Sequence, residues 1–539
     1  MRFLYAVVLA AAPVAAAPSF SPDRVKAHVA FLADDLLEGR GTGTRGHEIA
    51  AHYVAAQFAA FGLQPGAKDG SWFQPVRLQE QRPGPIPARV VLTGPGGTTS
   101  FAEGSDVLVA VSRRNAVTDV EGEVVFAGYG LDAPAQGFDD YAGLDVRGKI
   151  VAILSGAPAD RPDEIAAHLQ NRNIKAAAAA ARGAIGLINL PTAASERRSG
   201  PWAKSVTASA IPSMTYIGAD RLPSDAAPSL RATATFNRAA ADALFAGASR
   251  PYAAIVDAGS GAARPKGFAL PTRARITATA AFRAVTSPNV IGMLPGSNPR
   301  LKAEVVVLMA HLDHLGIGPA IKGDRVYNGA LDNAAGIATM LEVARAFATA
   351  PRPKRSLMFV AVTAEEKGLL GAEALANDPP VPIGDITAVV NLDQPMLLYD
   401  FTDVIAFGGD HSTMGVSIAR AAAKAGVKVA PDPMPEQAIF TRSDHYTFVK
   451  RGVPALLLAT GHGNGGKAAW DRYLATDYHQ PSDDMTLAID WAAGAKYARV
   501  NYLIARELAD APVRARWYAG DYFGATFAPS APKTPRKGP

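Results

Sequence analysis

The sequence predicts an α/β protein: a mixed, mostly parallel sheet with helices on both faces, into which a β-rich unit is inserted. Three observations lead there. From Thr286 onward, strand-like apolar runs alternate with helical segments, the order that builds a sheet covered on both faces. The run from Val305 to Ala310 is apolar at every position, as a strand buried on both faces must be. Between Val124 and Met214 the pattern changes to short β-rich runs punctuated by glycine, which marks a separate unit. A length of 539 residues also favours two or three domains over one core.

At the N-terminus, Met1-Arg2 supplies positive charge, Phe3 to Ala12 is a short apolar stretch, and Val14-Ala15-Ala16-Ala17 is small-residue cleavage territory. Residues 1–17 therefore read as a secretory signal peptide, which makes the protein exported, periplasmic or extracellular. No Cys follows the apolar stretch, so a lipoprotein is excluded, and no later run is apolar enough for a membrane anchor. Residues 18–115 read as the first part of the main domain. Val25, His28, Val29, Phe31 and Leu32 recur at helical spacing, Gly39-Arg40-Gly41-Thr42-Gly43 interrupts, and a second helix over Glu48–Phe61 ends at Gly62 and Pro65. That helix opens on a decoy, His47-Glu48-Ile49-Ala50-Ala51-His52. Its second His comes one residue later than in the zinc-protease helix motif, and side chains five apart diverge by about 140°.

Residues 116–270 form the expected insert. It contains Val124 to Gly130, Leu144 to Leu154, an Ala-rich helix over Ile174–Ala181 and a buried strand over Ala184–Leu190, with no cluster of chemically active residues. Residues 271–515 then alternate: strand Ser287–Leu294, strand 305–310, a helix after Asp332 stopped by Pro351 and Pro353, strand Ser356–Val362, helix Leu369–Ala376 and strand Thr387–Leu392. Strand Asp403–Phe407, helix Met414–Ala425, strand Val453–Ala459 and a closing helix over Leu487–Leu508 complete the unit. Residues 516–539 read as a Pro-rich, basic, disordered tail.

Composition excludes several functions. Lys and Arg number 54 against 49 Asp and Glu, with no basic block interleaved with aromatics, so nucleic acid is not an expected partner. Cysteine is absent, so any metal must be held by His and carboxylates. There is no Gly-x-Ser-x-Gly elbow, which disfavours a serine hydrolase.

The chemical signal lies at the C-terminal ends of the buried strands. The strand 305–310 runs into His311 and Asp313, strand 356–362 into Glu365-Glu366, and strand 387–392 into Asp393. Asp332 opens a helix, and His479 and Asp483 lie in the loop before the last one. In open α/β sheets that edge is where ligands bind. Ending successive buried strands in carboxylates is costly unless a cation offsets the repulsion and desolvation. His nitrogen with carboxylate oxygen suits Zn2+, with Co2+ or Mn2+ as substitutes.

His311-x-Asp313, Gly329-x-x-Asp332-Asn333-x-x-Gly336, Glu365-Glu366-x-Gly368, Asn391-Leu392-Asp393 and Tyr478-His479-x-x-x-Asp483 resemble, in order and spacing, the motifs of the co-catalytic zinc exopeptidases of peptidase family M28. That family includes bacterial aminopeptidases, glutamate carboxypeptidase and glutaminyl cyclase. Gly128-Tyr129-Gly130, Asp140-Tyr141 and Gly148-Lys149-Ile150 resemble the protease-associated domain that such enzymes often carry as an insert.

The resemblance implies the zinc exopeptidase fold and two Zn2+ per chain, one on His311 and Asp393, the other on Glu366 and His479, with Asp332 bridging. It implies Glu365 as general base, Asp313 as the partner of the other His311 ring nitrogen, and Tyr478 as a donor to the oxyanion. Glu436, Arg442, Ser443, Asp444 and His445 fall where relatives place substrate-pocket residues. Gln394 departs from the apolar residue that relatives often carry after the Asp393 position, which puts the floor of the specificity pocket in question. The expected activity is that of an exported aminopeptidase acting on peptides. A carboxypeptidase or dipeptidase, a glutaminyl cyclase and an inactive binding homologue are the alternatives, and monomer and homodimer are both open.

Overall fold

Strand Val305–His311 is buried at every residue, and the sheet is built outward from it. It pairs in parallel with Ser356–Val362 on one side and Ile386–Asn391 on the other, and Ile386–Asn391 pairs in parallel with Ala455–Thr460. Strand Asp403–Phe407 lies antiparallel to Ala455–Thr460, and residues 290–294 lie antiparallel to Ser356–Val362. The parallel centre with antiparallel flanks is the mixed sheet that the alternating pattern predicts. Helices Pro22–Leu32, Ala335–Thr349 and Trp491–Asp510 pack together on the sheet. Each Val or Leu so enclosed contributes roughly 1.5–3 kcal/mol. The computed structural model describes residues 18–158, 164–259 and 264–536. The expected signal peptide lies outside them, and no helix among them is long and apolar enough to cross a membrane.

A 27-residue strand, Phe268–Leu294, joins this sheet to a second one. Its C-terminal half pairs with Phe73–Pro83 in the main sheet, and its N-terminal half pairs with Arg89–Gly94 and Val117–Phe126 in the other. The second sheet continues through Ile150–Leu154, Gly186–Leu190 and Ala232–Phe236 to Val107–Val109, over its own buried cluster. Residues 89–109, assigned on sequence grounds to the main domain, thus belong to the second sheet. The chain leaves the main sheet at about residue 84 and rejoins it for good at about 280, not at 116 and 270, and between these Ser213–Tyr216 pairs briefly with Phe73–Pro83 of the main sheet.

The tail also departs from expectation. Residues 516–536 are ordered: Tyr522–Phe527 is helical, Trp517 and Phe523 are buried, and the Trp517 indole donates to the Gly452 carbonyl. Prolines suggest disorder, but the aromatic rings supply enough apolar surface to dock this segment. Phe523 packs against His411, Phe440 and Tyr446, next to His168 of the inserted unit.

The junction between insert, main domain and tail is electrostatic as well as aromatic. His411 places Nε2 2.6 Å from Glu164 of the insert and Nδ1 2.6 Å from Asp521 of the tail. Burial lowers the imidazole pKa, but the carboxylates of Asp521 and Glu164 outweigh it and raise the pKa to about 9. A raised pKa in the folded state means stability that is complete below the unfolded value of about 6.5 and lost as pH rises through about 9. The difference in unfolding free energy between the wild type and His411→Gln should shrink by about 3 kcal/mol between pH 6 and pH 10 in denaturant titrations. A difference that stays constant with pH would contradict the charged bridge.

Candidate metal centre

The turns after successive parallel strands bring the acidic groups together. His311 Nε2, at the end of its strand, lies 3.1 Å from Asp332 Oδ1 and 3.1 Å from Asp393 Oδ1. His479 Nε2 lies 3.3 Å from Asp332 Oδ2 and 3.2 Å from Glu366 Oε2. Asp332 therefore faces both groups, one oxygen toward each. The sequence places these five residues far apart, and the fold gathers them around one carboxylate.

Each is held from behind. Asp483 accepts from the Leu331 and Asp332 amides and from the Tyr473 hydroxyl, which fixes the segment carrying Asp332. Ser443 donates to Asp393 Oδ2 and accepts from Asn391 Nδ2. Gln394 Nε2 reaches Asp332 Oδ2 at 3.3 Å, so the departure from the family pattern bears on the central carboxylate. Ala364, Gln394 and His479 all adopt left-handed backbone conformations, with φ of 56°, 50° and 58°. Each such non-glycine conformation costs on the order of 1 kcal/mol and persists where surrounding structure fixes it.

Asp313 differs from its expected role. The His311 Nδ1 proton goes to the backbone carbonyl of Asp313 at 3.0 Å, not to its carboxylate. The carboxylate instead accepts from the Glu365 amide at 3.0 Å and from the Thr42 hydroxyl at 3.0 Å. It therefore orients the Glu365 turn. Burial, then the Asp393, Glu366 and Asp444 charges, push the Glu365 carboxyl well above its ordinary range against the opposing effect of His311.

The structure contains a segment whose importance the sequence does not disclose. Gly39-Arg40-Gly41-Thr42-Gly43 runs beneath the site, and Arg40 is fully buried there. Its guanidinium donates to the carbonyls of Leu32, Leu312, Asn328 and Gly329, the last three flanking His311 and the approach to Asp332. Burial lowers its pKa to about 10 despite Asp483, Asp313, Asp332 and Glu366, so it stays charged at neutral pH. Gly39 has φ +65°, and a Cβ there would lie 2.3 Å from the Tyr327 carbonyl oxygen, so glycine is required. An arginine framed by glycines between two helices is the available signal.

A cavity of about 120 Å³ opens on the cluster; its lining combines Asp332, Glu365, Asp393, Gln394, Tyr478 and His479 with the apolar Phe407, Met434, Ile439, Leu457, Trp470 and Leu474. Tyr478 stacks on His479, with ring centroids 3.9 Å apart. Arg442 and Ser443 also line this space. Asp444 and His445 are fully buried, so they do not face a substrate as expected. The Glu436 side chain lies outside the described residues. His47 is buried against Ser287 and takes no part in the cluster.

The donor set fits a pair of divalent cations of the zinc type. Two imidazoles and three carboxylates converge without a thiolate, and Glu366 Oε1 is buried without a hydrogen-bond partner.

Residues 289–505 match the sequence profile of peptidase family M28. Among curated proteins, a "Probable zinc metalloprotease" of Pyrenophora tritici-repentis (strain Pt-1C-BFP) is 45% identical over 65 residues, 12% of this chain and 15% of its own. Aminopeptidase YwaD of Bacillus subtilis (strain 168) is 37% identical over 92 residues, 17% of this chain and 18% of its own. The matches thus span less than a fifth of these relatives' length. Among solved structures, an aminopeptidase from Aneurinibacillus sp. strain AM-1 superposes with a TM-score of 0.53 at 21% identity, covering 94% of this chain and 97% of that one. That likeness establishes the shared fold.

Proposed function

From the match of residues 289–505 to peptidase family M28, we propose that the chain is a member of that family and an exported metallo-aminopeptidase that removes N-terminal residues from peptides. The observation that carries the proposal is the position of Asp332, whose two oxygens face His311 and His479 at 3.1 and 3.3 Å on the wall of an open cavity. In this reading His311 and Asp393 would hold one Zn2+, Glu366 and His479 would hold the other, and Asp332 would serve both. Bound there, the cations would supply Lewis-acid activation of water and of the scissile carbonyl.

The chain's own residues carry the remaining work. Glu365 removes a proton from the attacking water and returns it to the leaving amine. The buried surroundings that raise its affinity for a proton suit it to that exchange. Asp313 positions Glu365 through its amide, and Tyr478 donates to the oxyanion, a contact worth roughly 3 kcal/mol of barrier. The apolar wall of Phe407, Met434, Ile439, Leu457, Trp470 and Leu474 accepts the substrate side chain, which favours apolar N-terminal residues. Residues 1–17 direct export, and the inserted unit shapes the approach to the cleft.

One observation favours a second reading. Arg442 lines the cavity, where a guanidinium would catch a substrate carboxylate in a carboxypeptidase or dipeptidase. A panel of free-amine and N-blocked peptide substrates, assayed with and without chelator, decides between them. An aminopeptidase should hydrolyse free-amine substrates with apolar first residues, an activity abolished by chelator and restored by Zn2+. Equal hydrolysis of N-blocked substrates with free carboxylates would favour the second reading.

A further inference from the structure

We propose that His314 is an additional metal ligand, so that the cation subsite on the Glu366 side is built from two imidazoles, His314 and His479, together with Glu366 and the shared Asp332. This rests on the metallopeptidase reading above and adds a residue to it.

The His314 ring is wholly buried, and neither Nδ1 nor Nε2 has a hydrogen-bond partner. Buried ring nitrogens without a hydrogen-bond partner are few in folded proteins. Its Nδ1 lies 2.8 Å from Glu366 Oε1, an oxygen that is also buried and unpartnered. The two atoms face each other as an ion pair, and 2.8 Å is also the spacing of a nitrogen and an oxygen directed at a common ion. The donor atoms of His314, Asp332 and Glu366 all lie within 4.8 Å of one another. His479 reaches the same two carboxylates at 3.3 and 3.2 Å, and its ring centroid is 5.8 Å from that of His314 at an interplanar angle of 67°.

The ring is held in place. The His314 amide donates to the Arg40 carbonyl at 3.3 Å, and a Cβ on Gly329 would lie 2.6 Å from the ring Cγ, so glycine alone leaves space for the imidazole. The two subsites are then unequal: one imidazole on the His311 side, two on the other. Additional nitrogen donation favours Zn2+ and Co2+ over Mg2+ and Mn2+, so the second subsite should hold its ion more tightly and with greater selectivity.

The test is proton NMR of the Co2+-loaded full chain in water, in which each coordinated imidazole contributes an exchangeable ring N–H resonance shifted far from the diamagnetic region. Three such resonances are expected, from His311, His314 and His479, and two in His314→Leu. The variant should also release one of its two ions to a competing chelator with more than 100-fold weaker affinity, beyond the roughly 10–100-fold that loss of a hydrogen bond to a ligand costs. Two resonances in the wild type, or a variant that keeps the wild-type count and affinity, would overturn the assignment while leaving the metallopeptidase reading intact. No shifted resonance at all would overturn both. The wild-type count stands even if His314→Leu fails to fold.

Discussion

Glu365→Gln is expected to keep its full complement of metal and to turn over peptide roughly 10²–10⁴-fold more slowly, the range of a positioned general base. Gln has nearly the same shape, so the cavity wall and the Asp313 bond to the residue 365 amide should persist. The variant loses the group that holds a proton between water and leaving amine. Because residue 365 is not one of the proposed ligands, metal content separates this outcome from general damage to the site. The loss should fall on kcat, with KM little changed, since the amide still fills the same space. Turnover within a few-fold of wild type, at equal metal content, would remove Glu365 from the role of base.

Arg40→Ala is expected to cost more than about 4 kcal/mol of stability and to lower metal occupancy with it. The guanidinium is the donor to the carbonyls of Leu32, Leu312, Asn328 and Gly329, and each left bare in a buried setting costs about 1–3 kcal/mol. The removed charge also stands near Asp483, Asp313, Asp332 and Glu366, so the cluster loses its nearby fixed cation. Arg40→Lys should recover only part, because an ammonium has three donors and no planar fork with which to reach opposed carbonyls. Denaturant titration and metal analysis of both variants check this. A stability loss under about 1 kcal/mol for Arg40→Ala would mean that water or local rearrangement satisfies those carbonyls, and that the segment beneath the site is not what holds it.

The strands that carry the site are legible because their burial leaves a continuous apolar signature. Val305–His311 and Ser356–Val362 are enclosed at every residue, and the acidic groups that end them stand out against that background. The long strand Phe268–Leu294 declares itself in the sequence only over its last third. Its N-terminal half alternates, with Leu270, Thr272, Ala274, Ile276 and Ala278 inward, but alternation does not tell which sheet a strand joins. The expected edge of the inserted unit therefore falls short of the observed one.

Side-chain direction is the other gap. The sequence puts Asp313 two residues from His311, and only the folded turn aims its carbonyl at the ring and its carboxylate at Glu365. Ser443, expected as a substrate contact, lines the cavity and also donates to Asp393, which the sequence does not show. The glycines that frame Arg40 mark it out, but they do not reveal its task, because its partners are carbonyls of segments nearly three hundred residues away, apart from Leu32. In the tail, the prolines outweigh the spacing of Trp517, Phe523 and Phe527 as a sequence signal, although those rings decide the packing.

The decisive measurement is anomalous diffraction at the zinc edge from crystals of the full chain grown with Zn2+. Two peaks are expected, one in contact with His311 and Asp393, the other with Glu366 and His479, each touching an oxygen of Asp332. Density that lacks both peaks, or places zinc away from these side chains, would contradict the reading of this cluster as a paired-cation site.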